Sequence, residues 1–319
     1  MMRRREFITL LGGAAAWPLT ARGQQAAMPV IGFLHGASPD GNADRIRAFR
    51  QGLKEVGLVE GENVAIEYRW ADNQSDRLPA MAADLVLRRV AVIAATTNAA
   101  TFAAKGATAN IPIVFLVSDD PVRMGLVPNL ARPDGNLTGV NFLAAELAAK
   151  RMELLRQLVP GITRVAVLVD PTNAAATEAT LRDAEEAARA LGLQIDAHNA
   201  GNSRQIEQAF ASFVRKRPDA LFVGTSPFFT DRRVQFALLA VLRKLPATYP
   251  WRDFVEAGGL MSYGASLHDS IRQVGVYTGR IIKGAKPADL PVVRSSKFEF
   301  VINLQAARVI ELEVPNSIQ

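Results

Sequence analysis

The chain has 319 residues, a formal net charge of +6, no cysteine, and 49% hydrophobic against 21% charged residues. That balance excludes a disordered chain, and the length exceeds what one ordinary core takes, so two lobes are expected. Without cysteine there is no disulfide framework, thiolate metal site, cysteine nucleophile or lipid-bearing cysteine. Outside the first 23 residues, 33 basic and 30 acidic side chains leave only +3, and apart from Arg215-Lys216-Arg217 the basic residues are scattered, so no nucleic-acid partner is expected.

Residues 1–23 combine Arg3-Arg4-Arg5, a short apolar run from Phe7 to Trp17, and a small-residue exit at Ala21-Arg22-Gly23. That order describes a secretory signal. Paired arginines followed by x-Phe-Ile resemble the twin-arginine signal. The apolar run falls short of the roughly 20 residues needed to span a bilayer, and no later stretch supplies them. A periplasmic chain, not membrane-embedded after signal removal and monomeric, is expected.

From Pro29 onward, short β-rich runs alternate with stretches of helical period. Pro29–Leu34 is predicted as a strand, Asp44–Val56 as a helix ended by Gly57, and Val64–Tyr68 as a strand. Ser75 or Asp76 caps a helix through Leu87. Val90–Ala94 is a strand, Asn98–Thr108 a helix and Ile111–Val117 a strand, after which Asp120-Pro121 has the pattern of a cap and a first-turn proline. A helix over Ala144–Leu158 opens a second cycle: strand 165–169, helix 177–191, strand 193–197, helix 203–214, strand 220–223, helix 231–242. Repeated βαβ units imply parallel sheets covered by helices. The fold class is therefore α/β, with two doubly wound, Rossmann-like lobes joined by a hinge. The joins are placed near Asn136–Phe142 and Met261–Gly264. Lobe 1 then holds residues 28–142 plus about 265–290 and lobe 2 holds 143–264, with 291–319 unassigned.

In open parallel sheets, ligands bind beyond the carboxyl ends of the strands. Those loops contain His35, Thr96-Thr97-Asn98, Asp119-Asp120, Asp170, His198 and Ser226 with Phe228 and Phe229. Hydroxyls and amides there suit a polar solute. Thr96, Thr97 and Asn98 also suit helix capping, His35 a structural role, and Phe228 and Phe229 the core, so both readings stay open. Asp119 is free to meet a cationic group. Tyr263, at the expected crossing, is the favoured aromatic contact. No G-x-G-x-x-G follows a strand, and there is no phosphate loop, G-x-S-x-G or H-E-x-x-H. The three histidines, at 35, 198 and 268, lack metal-ligand spacing. No cofactor, metal or catalytic activity is expected.

Several longer stretches carry a family signature: Ile111-Pro-Ile-Val-Phe115, Asp119-Asp-Pro-Val122, Arg132-Pro-x-Gly-Asn-Leu-Thr-Gly-Val140, Pro227-Phe-Phe-x-x-Arg-Arg233, Gly258-Gly-Leu-Met-Ser-Tyr-Gly264 and Lys297-Phe-Glu-x-Val-Ile-Asn303. Together they resemble the ABC transporter substrate-binding proteins of the tryptophan/tyrosine-uptake type, with a type I periplasmic-binding-protein fold. The resemblance implies hinged lobes that close on a small-molecule ligand, and an ABC permease with its ATPase as partners. Thr97 and Asn98 would hold the ligand from lobe 1, and Ser226, Phe228 and Tyr263 from lobe 2 and the hinge. Two positions depart from the pattern, which has aspartate at Ser226 and proline at Asn98. An amine-free aromatic carboxylate then competes with an aromatic amino acid as ligand. A periplasmic sensor module and an exported enzyme on the same fold are the rival functions.

Overall fold

In the computed structural model, which describes residues 28–142, 147–172 and 174–318, the chain winds twice in the same order. The expected signal lies outside the described residues. The first winding comprises β1 (Val30–His35), α1 (Ala43–Glu55), β2 (Ala65–Trp70), α2 (Leu78–Leu87), β3 (Val92–Ala95), α3 (Asn98–Ala107), β4 (Ile113–Val117) and β5 (Leu137–Asn141). The second comprises α4 (Ala148–Leu158), β6 (Arg164–Val169), α5 (Ala174–Leu191), β7 (Gln194–Asn199), α6 (Ser203–Lys216), β8 (Ala220–Val223), α7 (Pro227–Asp231), α8 (Arg233–Leu242), β9 (Ala247–Tyr249), α9 (Arg252–Glu256) and β10 (Met261–Ala265). The tail adds α10 (Leu267–Ile282), β11 (Val293–Arg294), β12 (Phe298–Ile302) and α11 (Leu304–Val309).

The sheets run β11-β5-β4-β3-β1-β2 and β12-β10-β9-β8-β6-β7. Every pairing is parallel except β10 with β12. Central strands such as β3, β4 and β8 are buried along their whole length, as strands covered by helices on both faces must be. The edge strands β2 and β7 carry Glu67, Arg69, Asp196 and His198 and stay partly exposed. One face of the first sheet packs against α1 and α10 through Phe33, Phe49 and Val274. Its other face packs against α2 and α3 through Leu34, Leu85 and Ala104.

The chain passes between the sheets three times: after Phe142, between β10 and α10, and between β11 and β12. The strands that flank these passages, β5 and β11 on one side and β10 and β12 on the other, lie at one edge of each sheet. Two of the passages touch, where Ser266 N donates to Lys297 O at 2.8 Å. This edge carries the hinge connections, and β2 and β7 form the opposite edges of the two sheets.

Several local expectations are corrected. Neither Ser75 nor Asp76 caps a helix; a 3-10 turn over Ser75–Arg77 leads into α2, with proline in its first turn. Asp120 Oδ1 accepts from Val122 N at 2.8 Å and closes a turn rather than a helix. The helix expected from Asp231 is preceded by α7, started by Pro227 and separated from α8 at Arg232. Met261–Ala265 is a strand of the second sheet, because its alternating residues pair with β9 and β12.

Candidate functional site

Each sheet reverses its strand order once, between β1 and β3 and between β6 and β8. Loops leaving such a switch point diverge and open a crevice. The two crevices face each other across one cavity of about 850 Å³.

On the first lobe, His35 ends β1 and is only 3% exposed. Its Nδ1 lies 2.7 Å from Thr96 Oγ1, which reaches Leu34 O at 3.4 Å. With that hydroxyl donating to the carbonyl, Nδ1 carries the proton and Nε2, buried without a partner among the described residues, is a bare acceptor. Burial, followed by the nearby Arg45 guanidinium, lowers the His35 pKa to about 3. Thr97 caps α3 by accepting from Ala100 N at 3.2 Å. Asn98 accepts from Ser118 N at 3.1 Å and donates to Ser118 Oγ at 2.9 Å and Asp119 Oδ2 at 2.8 Å. Ser118 Oγ donates to the same Asp119 oxygen at 2.7 Å. Asp119 is thus held by two neutral donors at one oxygen, and Oδ1 takes no part in the network.

On the second lobe, Asp170 directly follows β6 and is 5% exposed. Its Oδ1 accepts from Thr172 N and Oγ1, and its Oδ2 from Ser226 Oγ at 2.5 Å. Ser226 also caps α7 through Phe229 N. Phe228 lines the cavity, whereas Phe229 is fully buried in the core; consecutive residues of one helical turn point in different directions. Phe142 and Trp251 form a T-shaped pair at 5.1 Å on the cavity wall. Asp183 also lines it, its pKa raised by burial, opposed by Arg182 and reinforced by the Asp119 carboxylate of the other lobe.

His35, Thr96, Thr97, Asn98, Asp119, Ser226 and Phe228 therefore all line one cavity. Tyr263 does not. It sits on β10, stacked on Phe298 at 6.5 Å and edge-on to Phe300 at 6.3 Å, because strand pairing with β12 points it at that neighbour. The sequence reading missed Asp170 as a site residue, although it directly follows a strand. It also missed Arg45, whose spacing of four from Phe49 places it on the buried stripe of α1. Arg123 and Arg182, two further cations on the wall, carry no sequence signal of their own.

Two wound lobes around a part-aromatic cavity with charges of both signs make up the architecture of a solute-binding protein. Residues 30–319 match the family model of ABC transporter substrate binding proteins, and the chain belongs to that family. A tyrosine-binding protein of Clostridioides difficile (strain R20291) is 24% identical over 268 residues, 84% of this chain and 76% of that protein. The structure of an ABC domain from Streptococcus pneumonia in complex with L-Trp superposes with a TM-score of 0.82 at 24% identity, covering 91% of this chain and 97% of that one. A ligand-free, open substrate-binding protein with adhesive properties from Clostridium difficile gives 0.65 at 24% identity, covering 90% and 96%. No helix among the described residues is long and apolar enough to cross a membrane.

Proposed function

We propose that the chain captures an aromatic amino acid outside the cytoplasm, with no chemistry performed on it, and delivers it to an ABC permease powered by its ATPase. Export by the twin-arginine route is supported by the paired arginines followed by x-Phe7-Ile8, the apolar run to Trp17 and the small-residue exit at Ala21-Arg22-Gly23. The observation that carries the ligand assignment is a carboxylate on each lobe, Asp119 and Asp170, beside an aromatic wall of Phe142, Phe228 and Trp251. A ring packs against that wall, an ammonium meets a carboxylate, and the ligand carboxylate meets one of the cavity arginines. The departure at Ser226 does not remove this option. Its hydroxyl rests on Asp170, which supplies a negative charge next to the position where the family pattern has aspartate. A volume near 850 Å³ lies within the range of small-molecule sites.

Thermal-shift titration tests the assignment. L-tryptophan or L-tyrosine should raise the melting temperature with concentration, since a ligand of the folded state alone stabilises it by mass action. Aromatic acids lacking the amine should shift it less. Asp170→Asn should abolish that preference. Shifts only with amine-free acids would move the assignment to aromatic carboxylates, and no shift with any of them would reject an aromatic ligand.

A further inference from the structure

Across the cleft from the hinge, one side chain of lobe 2 is gripped by three residues of lobe 1. Asp231, the last residue of α7, accepts at Oδ2 from Asn73 Nδ2 at 2.9 Å and from Ser38 N and Oγ, each at 3.3 Å. Its Oδ1 accepts from Asn42 Nδ2 at 3.2 Å. Arg233 NH2 adds a contact of 3.5 Å to Gly41 O of the same lobe-1 loop. Four donors thus meet one carboxylate from residues more than 150 positions away in the chain.

The lobe-1 loops are shaped for the contact. Asp72 and Asn73 follow β2 and both have left-handed backbones, φ 53° and 62°. Two consecutive non-glycine residues in that region are unfavourable unless the surroundings enforce them. Here Asp72 N and Asn73 N are pinned to Ala37 O and Gly36 O, and the outcome is an Asn73 amide aimed at Asp231.

A second, independent feature points the same way. Arg45 of α1 is 8% exposed. Burial lowers its pKa, and the carboxylates that oppose this are Asp253, 3.6 Å away, and Asp231. Both belong to lobe 2. Separating the lobes would strip a buried guanidinium of both counter-charges.

We infer that Asp231 is a positioning residue for ligand capture: with Ser38, Asn42 and Asn73 it forms a latch that holds the lobes closed, and Arg45 with Asp253 reinforces it. On lobe 1 the latch residues follow β1 and β2, away from the hinge edge at β5, and on lobe 2 Asp231 follows β8 in the middle of its sheet, so the contact spans the cleft at a distance from the hinge. It is also coupled to the ligand wall. Phe228 and Asp231 stand three residues apart on α7, so a solute that settles Phe228 settles the latch. At equal identity and near-equal coverage, the chain superposes more closely on the Trp-bound relative than on the open one, 0.82 against 0.65.

The test measures interlobe distance. The native chain has no cysteine, so spin labels attach only at Asp76→Cys and Arg204→Cys, two exposed positions at the rims beside the edge strands β2 and β7. Double electron–electron resonance on the full chain should give a short-distance population that Asp231→Ala reduces. A hydrogen-bonded charge contributes enough that the closed-to-open ratio should fall about tenfold or more. Asn73→Gly, which keeps the left-handed turn, should do the same from the lobe-1 side and serves if the Asp231 variant does not fold. With L-tryptophan or L-tyrosine present, both variants should release the amino acid faster by a similar factor; this arm alone rests on the proposed function. If neither amino acid changes the distances while Asp231→Ala still lowers the short-distance population, the ligand assignment fails and the latch stands. Equal distance distributions for the native and variant chains, with and without amino acid, overturn the latch.

Discussion

The imidazole of His35 is enclosed by Trp70, Phe33 and the Thr96 hydroxyl, and this environment makes it a source of acid sensitivity. Its pKa in the folded chain is lowered to about 3 from an ordinary value of 6.5. Between those values the unfolded chain binds a proton that the folded chain refuses. The stability linked to His35 is therefore fully present above about pH 6.5 and is lost as pH falls toward 3, with a slope of at most about 1.4 kcal/mol per pH unit. Replacing it by glutamine, which retains an amide for Thr96, should flatten the fall in urea midpoint between pH 7 and pH 4. Equal slopes for the two chains would show that the ring is solvated and titrates normally. The same scale explains what the sequence made legible. His35 ends a strand and Thr97, Asn98 and Asp119 stand two or three residues beyond one, so the strand-end rule reaches these cavity-lining positions. Asp170 obeys the rule as well, but its role emerges only from the 2.5 Å contact with Ser226, 56 residues away, and no local pattern encodes that pairing. Tyr263 was misplaced because a Gly-flanked aromatic looks like a crossing when the partner strand β12 is not in view.

Elements declare themselves in proportion to their length. The apolar strands β1, β4 and β6 and the amphipathic helices α1 and α6 are legible from periodicity. β9, with three residues, and β11, with two, are too short to show a period, and β12, a half-exposed edge strand, lies in the stretch the sequence leaves unassigned. The contact that fixes α10 on the first sheet is likewise carried by residues without side chains. A Cβ at Gly52 would lie 1.9 Å from Arg272 O, and one at Gly275 2.2 Å from Phe49 O. The two glycines let the backbones of α1 and α10 touch, so the helices lock over Leu53, Ile271 and Val274. Either Gly52→Ala or Gly275→Ala would force the helices apart and should destabilise the chain by about 1–3 kcal/mol or more, seen as a lower melting temperature. Alanine ordinarily favours a helix over glycine by about 1 kcal/mol, so an unchanged or raised melting temperature would mean the helices are not in backbone contact.

At the scale of the molecule, the tail decides whether there are two lobes or one. Residues 290–294 finish the first sheet through β11 on β5, and residues 298–318 finish the second. β12 covers the edge of β10 with an antiparallel ladder over Met261–Ala265. Ala306, Ala307, Ile310 and Ile318 fill the core between α4 and the second sheet, beside Met152, Leu155 and Met261. A chain ended after Ser296 would keep every strand of the first sheet. It would leave β10 as an open edge, with a stripped apolar face behind it. Filling that face contributes about 25 cal/mol per Å² of apolar area buried, and an uncovered edge invites pairing with other chains. The truncated protein should retain a cooperative thermal transition from the first lobe, with reduced helix and strand signal in far-ultraviolet circular dichroism and protease cutting confined to residues 147–264. It should bind neither L-tryptophan nor L-tyrosine, since Asp170, Ser226 and Phe228 would no longer be held opposite Asp119. A single transition with full signal and uniform protease resistance would instead show that the second sheet closes its core without β12 and α11.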